Sequence, residues 1–153
     1  MIILDTNVLF ASTRPVPEAP VVAWLDRQPP ESMWITSITL FEVRVGLALL
    51  PRGRRRQALE SAFDLMLKDD LEDRVLDFDS AAAGAAASLA AKRQKSGRSV
   101  DMRDTQIAGI ALARSATLAS RNVRHFRDLE VPVVDPWEAG GSMMAMRLSQ
   151  LFE

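Results

Sequence analysis

Short β-prone runs alternate with stretches of helical periodicity along the chain, and this alternation constrains the fold more than any other feature. Ile2 to Leu4 is an apolar run of strand length. STRPVPEAP reads as a Pro-rich loop, and APVVAWLDRQ as a helix with Pro20 in its first turn, stopped by Pro29 and Pro30. MWITSI is β-prone. TLFEVRVGLALL has helical apolar spacing from about Thr39 to Leu50, and Pro51 and Gly53 break it. A further helix is predicted from about Arg54 to Lys68, with Leu59, Phe63 and Met66 on one stripe. RVLDF is a third strand. Ser80 is placed to cap an Ala-rich helix reaching about Lys95, with Gly97 as terminator. DMRDTQIAGIALARSA is another helix, and TLAS and VPVV are the last short strands. This order argues for a mostly parallel sheet covered by helices on both faces, a three-layer α/β/α sandwich.

A chain of 153 residues suits one domain with a real core. Ser142 to Phe152 carries Met144, Leu148, Leu151 and Phe152 at helical spacing, which predicts a terminal helix packing on the body or on a second copy.

Composition narrows the chemistry by what is missing. There is no Cys, which removes thiol catalysis and Cys-ligated zinc, and the single His (His125) removes any His-pair metal motif. No Gly-rich phosphate loop or nucleophile-elbow motif occurs. The net charge of −1 means that any contact with nucleic acid must come from local basic clusters. Asp5 interrupts the apolar N-terminus, and no other run is apolar enough to span a bilayer, so a cytoplasmic protein with no membrane partner is expected.

Carboxylates remain, and three of them occupy equivalent places. Asp5 follows the first strand, Glu42 lies in the first turn of the helix after the second, and Asp104 lies in the first turn of a later helix. In an open α/β sheet, sites form beyond the carboxyl ends of the strands, where residues distant in sequence meet. Each acid also has a plain structural reading. Thr39-x-x-Glu42 fits a capping box, and Asp101-x-x-Asp104 fits a capped helix start favoured by the macrodipole. Asp5 is the hardest to explain this way, because the next clear helix start is near Pro20. If the three converge, their mutual repulsion calls for protons or a cation. A hard divalent ion, Mg²⁺ or Mn²⁺, suits an all-oxygen set and phosphoryl chemistry.

The ordered segments MIILDTNVL, SITLFEVRVGLALLPRGRRRQAL, DTQIAGIALARSATLASRNVRHF and VPVVDPW resemble the PIN-domain family, and within it the VapC/FitB-like ribonuclease toxins of bacterial type II toxin–antitoxin pairs. The resemblance covers roughly residues 1–137, leaving 138–153 as a tail. It implies an RNase-H-like α/β/α sandwich and a Mg²⁺- or Mn²⁺-dependent endoribonuclease, often a homodimer, silenced by a small DNA-binding antitoxin. By the same resemblance Asp5, Glu42 and Asp104 fall on the acidic metal-site positions, and Thr6 on the hydroxyl position beside the first acid. Asn122 lies where many members carry a fourth acid and others an Asn. The chain departs from the pattern at His125, where many relatives carry Asp, which removes one candidate outer carboxylate. It also lacks the Glu common a few residues after D-T-N.

Basic residues cluster at Arg52 and Arg54–Arg56, at Lys92–Arg98, and at Arg121, Arg124 and Arg127. The usual reading of such runs is a solvated face. The third cluster surrounds Asn122 and, with His125, is the best candidate for contact with an RNA strand. Two other functions compete. Asn122 and His125 would also suit a catalytically weakened module that binds RNA or a protein partner. A phosphatase or receiver-type phosphoacceptor would also place Asp after the first strand, but Asn7 stands where a phosphatase of the haloacid-dehalogenase type wants a second Asp.

Overall fold

A computed structural model describes residues 1–14 and 16–138. At its centre lies β1 (Ile2–Leu4), flanked by β2 (Met33–Thr36) and β4 (Thr117–Ala119), with β3 (Val75–Leu76) and β5 (Val133–Val134) outermost. The order is β3-β2-β1-β4-β5, and every neighbouring pair is parallel. Ile3 stands opposite Trp34 on one side and Leu118 on the other. The helices are α1 (Thr6–Thr13), α2 (Ala19–Asp26), α3 (Ser37–Ala48), α4 (Arg54–Leu65), α5 (Ser80–Lys95) and α6 (Met102–Arg114). None of the described helices is long and apolar enough to cross a membrane.

The period of two along a strand sends adjacent residues to opposite faces, and the core divides accordingly. Ile3 and Leu118 pack with Leu89, Ile107, Ile110 and Phe126, whereas Leu4 and Ala119 pack with Val8, Val21, Trp24, Val43 and Phe63. Right-handed crossovers account for this division. The chain winds outward from β1 to β3, with α1–α4 on one face, then returns past β1 to β4, with α5 and α6 on the other. The winding therefore reverses between β1 and β4, where open α/β sheets place their ligands.

The structure moves several element starts. The chain enters α1 directly at Thr6, with Asp5 as N-cap, where no helix was expected before Pro20. Asp5 supplies the start signal, and burial of Val8, Leu9 and Ala11 holds the helix in place. The N-cap of α3 is Thr36 and not Thr39: the Thr36 hydroxyl accepts from the Thr39 N–H at 3.1 Å. Glu42 therefore sits one turn deeper in its helix than the sequence suggested. Asp79, not Ser80, caps α5 through the Ala82 N–H at 2.9 Å. α4 ends at Leu65 and passes into a π turn, Met66–Asp70. The expected terminal helix lies outside the described residues.

Behind the sheet, α5 and α6 approach closely because the contact is made of small residues. A Cβ built on Gly109 would lie 2.6 Å from both the Ala82 carbonyl oxygen and the Ala86 Cβ. Neither backbone nor methyl can yield there without moving a helix. Gly109→Ala is expected to destabilise the fold by about 1–3 kcal/mol through overpacking. Thermal unfolding should show it as a melting temperature lower by roughly 2–4 °C per kcal/mol.

Candidate active site

Asp5 leaves β1 at the reversal point and is only 4% exposed. One carboxylate oxygen accepts from the Thr6 N–H at 2.8 Å, and the other from the Ser120 hydroxyl at 2.6 Å. Ser120 is fully buried and follows β4, so this bond joins the ends of the two strands across the reversal. The Asn7 amide lies 3.4 Å from the same Asp5 oxygen and its carbonyl accepts from the Arg121 N–H at 3.3 Å, a second tie between the two strand ends. Thr6 faces α3. Its hydroxyl lies 3.1 Å from that of Thr39 and donates to Glu42 at 3.4 Å. Buried Thr36 and Thr39 continue this hydroxyl chain, so the starts of α1 and α3 share one polar network.

Asp104 comes from the opposite face of the sheet. It occupies the first turn of α6, whose N-cap Asp101 accepts from the Asp104 N–H at 2.9 Å. The His125 Nδ1 lies 2.9 Å from its carboxylate. His125 rides on a 3₁₀ turn, Val123–Phe126, anchored by buried Phe126. Asn122 opens that turn, exposed, its backbone N–H donating to Ser120 Oγ at 3.0 Å. Of the expected RNA contacts, Arg121 stacks on Trp137 at 4.9 Å, and Arg124 and His125 line a cavity of about 460 Å³ beside Asp104.

The structure thus brings Asp5, Glu42 and Asp104 within electrostatic reach of one another. Burial pushes the Asp5 carboxyl up, with a further push from Asp104; the Ser120 and Thr6 bonds only partly oppose this. Glu42 is also pushed up, by burial first and then by Asp5 and Asp104, against the pull of Arg103. Among the described residues, however, no three Asp, Glu or His side chains form a ready coordination shell. The donor set fits an ion that takes a few carboxylates and keeps several waters, as Mg²⁺ does, and fits poorly with one that demands a closed protein cage.

The chain matches the PIN domain family model over residues 2–131. It belongs to the PIN-domain family. Among curated proteins, this PIN domain is 40% identical to the plasmid stability protein StbB of Pseudomonas syringae pv. tomato, covering 91% of this chain and all of that one. It is 35% identical to the VapC ribonuclease Y4jK of Sinorhizobium fredii, covering 90% and 99%. The solved structure of FitAcB from Neisseria gonorrhoeae superposes with a TM-score of 0.83 at 34% identity, covering 90% of this chain and 99% of that one.

Two residues that matter to this PIN site escaped the sequence reading. Ser120 was visible only as the small hydroxyl residue of the L-x-[ST]-R-N segment, with no mark of its bond to Asp5. Arg93 belongs by sequence to a basic cluster of the usually solvated kind, yet it is buried at the C-terminal end of α5. Its guanidinium binds Asp128 in a fork at 2.8 and 2.9 Å, and donates to the His125 carbonyl at 2.6 Å. The pair clamps the turn that carries His125. The i, i+4, i+7, i+11 stripe Ala82, Ala86, Leu89, Arg93 was the available signal, since it places Arg93 on the buried face.

The Arg93 guanidinium holds the Asp128 carboxyl below the usual carboxylate range. A depressed folded value stabilises the fold above the unfolded pKa, and the stabilisation is lost as pH falls through the folded value. Asp128→Asn should therefore cost about 3 kcal/mol at neutral pH, because it leaves Arg93 buried and unpaired. The gap from wild type should narrow as pH drops below about 4, as measured by urea unfolding at pH 7 and at successively lower pH.

Proposed function

We propose that this protein is a Mg²⁺- or Mn²⁺-dependent endoribonuclease toxin, acting in the cytoplasm and held inactive by a small DNA-binding antitoxin. What supports this reading is that Asp5, Glu42 and Asp104 lie within electrostatic reach of one another beside the reversal point of the sheet, with the Asp5 and Glu42 carboxyls both pushed up, by burial first. Similarity to a VapC ribonuclease and to Toxin FitB supports the activity and toxin role, and similarity to FitAB bound to a DNA fragment supports a DNA-binding partner. The resemblance further implies a homodimer, with residues 138–153 as a tail beyond the catalytic domain.

In this reading Asp5 and Asp104 would hold the ion, directly or through water, and Glu42 would complete the acidic set and help orient a water. The bound ion supplies charge neutralisation at the scissile phosphate and lowers the pKa of water. The rest falls to the chain. Ser120 and the Thr6 N–H each hold one Asp5 oxygen and so fix the orientation of the carboxylate. Thr6 fixes Glu42 in the same way. Raised carboxyl pKa values mark a site whose charges are uncomfortable alone, and a cation relieves them. His125 holds Asp104, so the position that is acidic in many relatives here restrains an acid. Arg121, Arg124 and His125 lie where an RNA backbone would approach.

Purified protein should cleave single-stranded or structured RNA with Mg²⁺ or Mn²⁺ and not with chelator. Asp5→Asn should reduce cleavage by at least about 100-fold, beyond the 10–100-fold typical of losing an outer-shell partner. Undiminished cleavage by this variant would place the activity elsewhere. Ser120→Ala should keep the fold but weaken the metal response by about 10–100-fold, seen as a higher Mg²⁺ concentration for half-maximal cleavage. Binding of RNA with no metal-dependent turnover would favour a weakened module in place of a nuclease.

A further inference from the structure

Arg103 is the cation that the reading above leaves unused. It follows Met102 in the first turn of α6 and precedes Asp104. The helix macrodipole disfavours a positive charge there. Its ion-pair partner is Glu42, with one guanidinium nitrogen 3.6 Å from a Glu42 oxygen. That single contact runs from α6 to α3 across the mouth of the acidic site. It is loose: the Arg103 side chain is 65% exposed, while Glu42 is 20% exposed. An exposed, single-point ion pair of this kind is readily exchanged for another partner. Of the arginines nearby, Arg124 lines the cavity beside Asp104, and three others have partners elsewhere. Arg93 and Arg98 share Asp128, and Arg121 lies over Trp137.

We propose that Arg103 is a phosphate-contacting residue held in reserve by Glu42. While Glu42 lacks other compensation, the guanidinium pairs with it. A divalent cation competes for the same carboxylate and repels the guanidinium, which then turns to the RNA backbone. A planar guanidinium is well matched to phosphate oxygens. Metal and RNA are thereby coupled through one side chain: cation binding liberates a phosphate contact, and the site does not offer its full positive charge to RNA before the cation arrives. The inference rests on the nuclease reading.

The test is RNA affinity with and without cation, by fluorescence anisotropy of a labelled single-stranded RNA in EDTA and in Ca²⁺, with strand integrity checked on a gel. In EDTA, Arg103→Ala should bind as wild type does, because Glu42 engages the guanidinium. In Ca²⁺ it should bind about three- to tenfold more weakly, with a salt dependence of log K shallower by about 0.7, the value for one lost phosphate contact to a single strand. Arg103→Lys should recover part of the loss. Glu42→Gln should release Arg103 without any cation, so it should bind RNA more tightly than wild type in EDTA, and adding Arg103→Ala should remove that gain. An equal effect of Arg103→Ala in EDTA and Ca²⁺, or none in either while wild type cleaves RNA, overturns the proposal and leaves the nuclease reading intact. A wild-type protein that neither binds nor cleaves RNA overturns both.

Discussion

A carboxylate sits almost wholly out of water at the end of the central strand, and much of the surrounding structure serves to keep it there. Asp5 is 4% exposed, and burial raises its pKa. An isolated charge in that position would be neutralised or expelled. It is retained because the Thr6 backbone N–H and the Ser120 hydroxyl each meet an oxygen. The Ser120 hydroxyl is within reach only because β1 and β4 are paired in register, with Leu4 opposite Ala119. The sheet alignment and the acid are thus one problem: a slip of register by a residue would exchange the faces of the strand and strip the carboxylate of its partner.

The second acid-bearing wall is secured differently. Asp104 stands on α6, whose position depends on the close approach to α5 that Gly109 permits, and His125 stands on a turn tied down by Arg93 and Asp128. Loops at the carboxyl end of a parallel sheet are usually its most mobile parts. Here a buried guanidinium reaches from a helix end into the turn and binds both a carboxylate and a carbonyl, so the His125 side of the site is set by packing of the helix layer. The same Arg93 lies 3.4 Å from the Thr105 hydroxyl, beside Asp104.

The fold was legible because its signals are local. Apolar runs of three to six residues, separated by helical periods and punctuated by Pro and Gly, leave little besides a parallel sheet between helices. Asp5 and Glu42 were legible as acids that follow strands, and Asp104 as an acid in the first turn of a helix. Helix starts were less so. α1 follows its strand with no spacer, and Thr36 and Asp79 outcompete the neighbouring hydroxyl residues Thr39 and Ser80 for the cap because capping depends on backbone direction at a single residue. The contacts that complete the site were not legible at all. The bonds from Ser120 to Asp5, Arg93 to Asp128 and Arg103 to Glu42 span 115, 35 and about 60 residues, respectively, and nothing in local composition encodes such pairings.

The Asp5–Ser120 bond has a consequence for when the protein can act. Its first partner is among the earliest residues made and its second among the later ones, and Asp104 and His125 also belong to the final third of the chain. A domain whose key contacts join its beginning to its end assembles them late. The amino-terminal half emerging from a ribosome carries Asp5 and Glu42 but has neither the strand that aligns the first nor the helix that faces the second. A chain that cuts RNA would therefore be harmless to the message and ribosome producing it until almost the whole domain has been released.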